Sequence, residues 1–184
     1  MVEPFVLQLY AEMAHDCTRG SWTCFESRGI PNWTPAGGYT TPSQSIVPLH
    51  VKWMLVWEDP MDFAKVTLLK ATPRSWLAAG ETIAVQNSPL TTGKFSYNVT
   101  SALAGPDPTI AARIKLVPTD VMLANTRAPK IESVKLRLRV PVGWKMTAVT
   151  IGGDSWSKFD SDEEEVTVPL SGHTATNVLI HYTK

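Results

Sequence analysis

The feature that most constrains this chain is a change of hydrophobic period near residues 60–64. Before it, Ile46, Leu49, Trp53, Val56 and Trp57 recur at helical spacing to about Asp59. From Lys65 onward the period falls to two. Alternation is clearest in Ile110-Ala112-Ile114-Leu116 and in Val134-Leu136-Leu138-Val140, whose opposite faces carry Lys and Arg. Eight strands are predicted: Val66–Lys70, Thr82–Gln86, Phe95–Val99, Ile110–Val117, Val134–Val140, Ala148–Ile151, Glu165–Val168 and Val178–Tyr182. Turn signals at Ala79-Gly80, Thr92-Gly93, Gly152-Gly153 and Ser171-Gly172 punctuate them. The pattern predicts an α+β chain, mostly β: an antiparallel β-sandwich of about eight strands, preceded by two helices and a long aromatic loop. Residues 1–63 form the helical segment with its loop, and residues 64–184 the sandwich.

The first helix is expected over Glu3–Asp16, where Phe5, Val6, Leu9, Tyr10 and Met13 share a face and Pro4 suits a first turn. Thr41-Pro42 offers an N-cap and first-turn proline for the second helix. Pro48 inside its stripe should kink that helix or mark its true start. Trp53, Trp57 and Trp76 fall on apolar faces and are expected in the core. The stretch PRSWLAAG (Pro73–Gly80) suits one short helical turn. Two isolated amphipathic helices cannot bury their stripes alone, so the segment must pack on the sandwich, on a second copy, or on a missing partner.

The 184 residues carry seventeen charges of each sign, 43% hydrophobic residues and 18% charged ones. A zero balance argues against nucleic acid, which needs a basic excess or patch. No apolar run approaches the eighteen or so residues of a membrane helix, so no membrane partner is expected. The N-terminus lacks the basic flank of a signal peptide, with Glu3 in its place. Cys17 and Cys24 form no CxxC motif. Buried thiols, a disulfide and a zinc site shared with His15 are the open readings for them, and no metal or cofactor is implied. The compartment stays open, so the sequons at Asn32 and Asn98 carry no weight.

The loop Thr18–Thr41 is long for a compact domain, and its aromatic content argues against disorder. Aromatic faces beside carboxylates and guanidiniums suit a sugar cleft, because CH groups stack on rings while charged groups hydrogen-bond hydroxyls. Trp22, Trp33 and Tyr39 are the stacking candidates, and Arg28 and Gln44 are candidates for hydroxyl contacts. Glu26, among Trp22, Phe25 and Arg28, is the candidate catalytic carboxylate, with Glu12 and Asp16 as possible neighbours. Each has a plainer reading: an ion pair of Glu26 with Arg19 or Arg28, and aromatics that plug a domain junction. His15 is an acid/base candidate by type, or a helix cap. The acidic run Asp160–Glu165 offers oxygen ligands for calcium but lacks EF-hand spacing, and a solvated hairpin edge is the stronger reading.

The aromatic loop, the tryptophan-bearing helix, KATPRSWLAAGETIAV (Lys70–Val85) and VTIGGDSWSKFDSDEEEVTVP (Val149–Pro169) together resemble the C-terminal end of (α/α)6-toroid glycoside hydrolases with an accessory β-sandwich. In the latter stretch the turn Gly152-Gly153-Asp154 precedes Trp156 and then Phe159-Asp160, as in the last hairpin of such sandwiches. The resemblance implies that residues 1–63 are the end of a toroid-like domain and that carbohydrate is the partner. It also implies that the main catalytic carboxyls lie on earlier helices of a catalytic domain that this chain lacks. On that reading the chain is a C-terminal fragment or reduced relative of a hydrolase. A stand-alone carbohydrate-binding module, or a structural domain that self-associates through its helices, are the alternatives.

Overall fold

The structure, a computed structural model, describes residues 2–18, 23–24, 27–28, 35–36, 41–118, 130–170 and 175–184, with residues 15–43 and 118 described by their backbone alone. The chain forms two compact units, Met1–Met54 and Leu55–Lys184.

In the first unit, helix α1 (Val2–Ala11) runs into a π-helical turn at Glu12–Asp16. Two short ladders follow: β1 (Cys17–Thr18) with β2 (Thr23–Cys24), and β3 (Ser27–Arg28) with β4 (Pro35–Ala36). Cys17 and Cys24 are register partners in the first. Helix α2 spans Thr41–Leu55 and carries Pro48 inside it, so Pro48 does not mark its start. Helix α1 buries Val2 and Leu9, but Tyr10, read as part of the apolar face, is 61% exposed.

The second unit is a sandwich of two sheets. Its strands are β5 (Val56–Asp59), β6 (Asp62–Leu68), β7 (Thr82–Leu90), β8 (Gly93–Ala102), β9 (Thr109–Pro118), β10 (Ser133–Arg137), β11 (Lys145–Ile151), β12 (Asp154–Trp156), β13 (Phe159–Asp160), β14 (Glu165–Pro169) and β15 (Thr176–Thr183). One sheet has the order β13-β14-β10-β6-β5, the other β12-β11-β15-β9-β8-β7. Every pairing is antiparallel except β10 with β6, where Lys135 faces Thr67 and Leu136 faces Leu68.

All eight anticipated strands form. Three more strands of the sandwich, β5, β12 and β13, and the four short strands β1–β4 of the first unit are not anticipated. Val56 and Trp57 continue a helical stripe, yet the helix stops at Leu55 because Val56 finds a ladder partner in Leu68 and Trp57 one in Thr67. The strands β12 and β13 have three and two residues, too few to display a period. Their ladders are set by turns instead. Gly152 and Gly153 take φ of +63° and +99°, the left-handed pair that a two-residue hairpin between Ile151 and Asp154 requires.

The core lies between the sheets and is filled by alternate residues: Val66 and Leu68 of β6, Phe95, Tyr97 and Val99 of β8, Ile110 and Ile114 of β9, Leu136 of β10, Val166 of β14 and Ile180 of β15. Trp53, Trp57 and Trp76 are corrections to the expected core, Trp53 being half-buried in α2. Trp57 is half-buried on the outward side of β5, opposite in sense to buried Val56. Trp76 is 37% exposed on the 3-10 turn Arg74–Leu77, where Leu77 takes the inward place.

Several polar groups that enter the interior are partnered, whereas Thr92 Oγ1, Arg137 Nε, Ser161 Oγ and the Tyr182 hydroxyl are buried without a hydrogen bond among the described residues. The carbonyl of Leu55, the last residue of α2, accepts the Leu69 N–H at 2.9 Å and the Tyr97 hydroxyl at 3.0 Å. Buried Arg139 donates to the Thr72 carbonyl at 2.8 Å. Arg74 forks onto the Glu164 carboxylate at 2.6 and 3.0 Å. These bonds satisfy groups whose burial would otherwise cost several kcal/mol each.

Candidate functional site

Trp22, Glu26, Trp33 and Tyr39 lie outside the described residues. Arg28 is placed only as backbone in β3, and the side chains of His15, Cys17 and Cys24 are likewise outside the description. Gln44 is half-buried in α2 and already engaged in an interaction.

The first unit does contain a polar pair that the sequence reading did not assemble. Nδ1 of His50 lies 2.8 Å from Oε2 of Glu12, with both side chains largely buried. Phe5 meets the imidazole edge-on at 5.7 Å, and Trp53 lies 5.5 Å from it. Thirty-eight residues separate the partners. No local spacing could reveal a pair that forms only when the π-helical turn Glu12–Asp16 and α2 are brought together. Its geometry ties two helices through a charge-assisted bond beneath aromatic cover.

The better candidate for a ligand is on the sandwich. The outward face of the five-stranded sheet holds a trough of about 370 Å³. The ladder builds it directly. Trp57 of β5 faces Thr67 of β6, Thr67 faces Lys135 of β10, and Lys135 faces Thr167 of β14. Because strand side chains alternate, these four project outward from one row while Val56, Leu68, Val134 and Val166 fill the core. Asp59, Lys65, Lys70 and Ser133 complete the lining. The site thus joins an indole, two hydroxyl-bearing threonines, a serine, a carboxylate and three ammonium groups.

Its charges are partly internally matched. Lys135 Nζ meets Glu165 Oε2 at 2.7 Å, and Lys65 Nζ meets Asp62 at 3.2 Å. Lys70 sits with Nζ 3.9 Å from the Trp57 ring centroid, a cation–π contact. Burial lowers the Lys70 pKa below its ordinary value; Asp59 and Glu165 pull it back up, and Arg137 and Lys135 push it further down. An ammonium held on a ring while partly stripped of water is a donor ready for an acceptor oxygen. The sequence displayed Lys70 and Trp57, but reading Trp57 as helical placed it in the core and hid the site.

Elsewhere, Asp160 caps its own turn by accepting the N–H groups of Asp162 and Glu163 at 2.9 and 3.0 Å. Glu164 and Glu165 of the acidic run are committed to Arg74 and Lys135. This run borders β13, the edge of its sheet. Among the described residues no group of three or more His, Cys, Asp or Glu side chains is placed to hold a metal ion, and no helix is long and apolar enough to cross a membrane. No protein-family model, curated protein or solved structure matches this chain.

Proposed function

We propose that this chain is the C-terminal portion, or a reduced relative, of a carbohydrate-active glycoside hydrolase, in which the sandwich braces the catalytic domain and contributes sugar contacts. The observation that carries this reading is the trough on the five-stranded sheet. It sets the Trp57 indole beside Lys70, Lys135, Asp59, Thr67 and Thr167, a mixture of ring and hydrogen-bonding groups suited to a hydroxylated, non-planar ligand. A volume near 370 Å³ is of the size that holds one or two sugar rings. On this reading Trp22, Trp33, Tyr39 and Arg28 of the loop add further contacts, and Glu26 is a candidate carboxylate. The principal acid and base belong to the missing catalytic domain, because two carboxyls need a rigid scaffold to be held at a working separation.

The test is a glycan-array screen of the whole chain alongside Trp57→Ala and Trp22→Ala. Selective binding lost on Trp57→Ala supports the sheet site, and loss only on Trp22→Ala moves the subsite to the loop. A folded protein that binds no glycan removes the reading. A structural, self-associating role is favoured by one observation: Leu7, Tyr10 and Leu49 are exposed on the two helices, Leu7 by 68%. Sedimentation that shows concentration-dependent association, abolished by Leu49→Glu, would select that role.

A further inference from the structure

We infer that the outward face of the six-stranded sheet is a second ligand site, specific for a carboxylate carried on a hydroxylated framework, the chemistry of a uronic acid unit. A trough of about 520 Å³ lies there, on the opposite side of the sandwich from the Trp57 site. Register places three planar polar side chains in one row: Asn98 of β8 faces Arg113 of β9, and Arg113 faces Asn177 of β15. The next row adds Thr100, opposite Ala111, and Thr150 of β11, opposite Leu179. The Gly152-Gly153 turn closes one end, its backbone open where a side chain would otherwise project.

Arg113 is the centre of this site for an electrostatic reason. Of the other arginines whose side chains are described, Arg74 forks onto Glu164, Arg139 donates to the Thr72 carbonyl, and Arg137 makes a longer contact of 3.9 Å with Glu163. The Arg113 guanidinium has no ion pair or hydrogen bond among the described residues. No carboxylate lines the trough, and Lys115 follows two residues later on the same outward face of β9. A guanidinium presents parallel N–H groups that match the two oxygens of a carboxylate. The Asn177 amide offers a donor and an acceptor, and the Asn98 amide offers its NH2 while its oxygen accepts the Thr100 hydroxyl at 3.3 Å, which suits adjacent hydroxyls. A bare anion would use Arg113 alone. A neutral sugar would leave the guanidinium unmatched. A ligand with both features uses the whole row.

The experiment is an NMR or calorimetric titration of the whole chain with glucuronate, glucose and acetate, repeated on Arg113→Ala, Arg113→Lys and Asn177→Ala. Arg113 is at the surface, so its removal leaves the core intact. Glucuronate is expected to bind more tightly than either glucose or acetate. Arg113→Ala should weaken it by about tenfold or more, since a hydrogen-bonded charge pair is lost. Arg113→Lys should recover only part of that loss, because lysine keeps the charge and loses the fork. Asn177→Ala should reduce the preference over acetate. Equal binding of glucose and glucuronate would overturn the anion requirement, and equal binding of acetate would overturn the hydroxyl requirement. Undiminished glucuronate binding by Arg113→Ala, or no binding by the folded wild type, would overturn the site itself. None of these outcomes touches Trp57, so they leave the first site to be judged by its own test.

Discussion

Leu69 and Glu164 hold a left-handed backbone that glycine would hold more easily, and each shows what outweighs the strain. Leu69 has φ of +56° and is fully buried. The left-handed region costs about 1–2 kcal/mol, whereas removing a buried leucine side chain costs about 2–5 kcal/mol. Burial wins, and the chain keeps leucine. Glu164 has φ of +58°, and its carboxylate takes both prongs of Arg74. Glu164→Gly should relieve about 1 kcal/mol of strain but forfeit about 1.5–3 kcal/mol of charge-assisted bonding. Net destabilisation is therefore expected in chemical denaturation, and a stabilised variant would show that the fork contributes little.

The two buried tyrosines provide a sharper contrast. Tyr97 donates to the Leu55 carbonyl at 3.0 Å, while the Tyr182 hydroxyl has no partner among the described residues. Tyr97→Phe should destabilise by about 0.5–1.5 kcal/mol, and Tyr182→Phe should be neutral or stabilising. Burial raises both phenol pKa values well above 10, with Glu164 adding to the rise at Tyr182. The unfolded chain sheds these protons above about pH 10 while the folded chain keeps them. The unfolded state then binds fewer protons, so stability falls as pH rises beyond that point. The fall should be shallower in either phenylalanine variant, measured as the slope of unfolding free energy against pH.

At the scale of elements, β6 makes the logic of period two testable within one strand. Leu68 is fully buried and Phe63 is 40% exposed. Leu68→Ala should cost about 2–5 kcal/mol and Phe63→Ala under about 1 kcal/mol, although phenylalanine is the larger side chain. Similar losses for the two would contradict the assigned faces. This alternation is what made eight strands legible: β9 and β10 display their inward residues in the sequence itself. The end of α2 was not legible. Val56 and Trp57 satisfy a helical stripe as well as a strand, and only pairing with β6, through a contact that sequence patterning does not specify, decides between them. The functional consequence is direct, because the Trp57 site exists only if Trp57 is on a strand. The same limit applies to Asn98, Arg113 and Asn177, which are distant in sequence and share a row only by register. His50 and Glu12 were illegible for the same reason.

For the whole molecule, the continuous core runs from Val56 to Tyr182 and lies wholly within the second unit. A chain of residues 55–184 is therefore expected to unfold in one cooperative transition by calorimetry. Broad, non-cooperative melting would mean that the sandwich depends on the first unit. On the proposed reading, the sandwich, with a ring-and-hydroxyl trough on one sheet and a guanidinium-centred trough on the other, would hold extended ligands while chemistry proceeds elsewhere. The most direct measurement is a calorimetric titration of the best array glycan into wild type and Trp57→Ala, with thermal unfolding of both recorded. The predicted result is binding by the wild type that weakens about tenfold or more in Trp57→Ala, as expected for a lost stacking aromatic, with the cooperative fold retained. Equal affinity in a folded Trp57→Ala protein would contradict the assignment of sugar binding to this face.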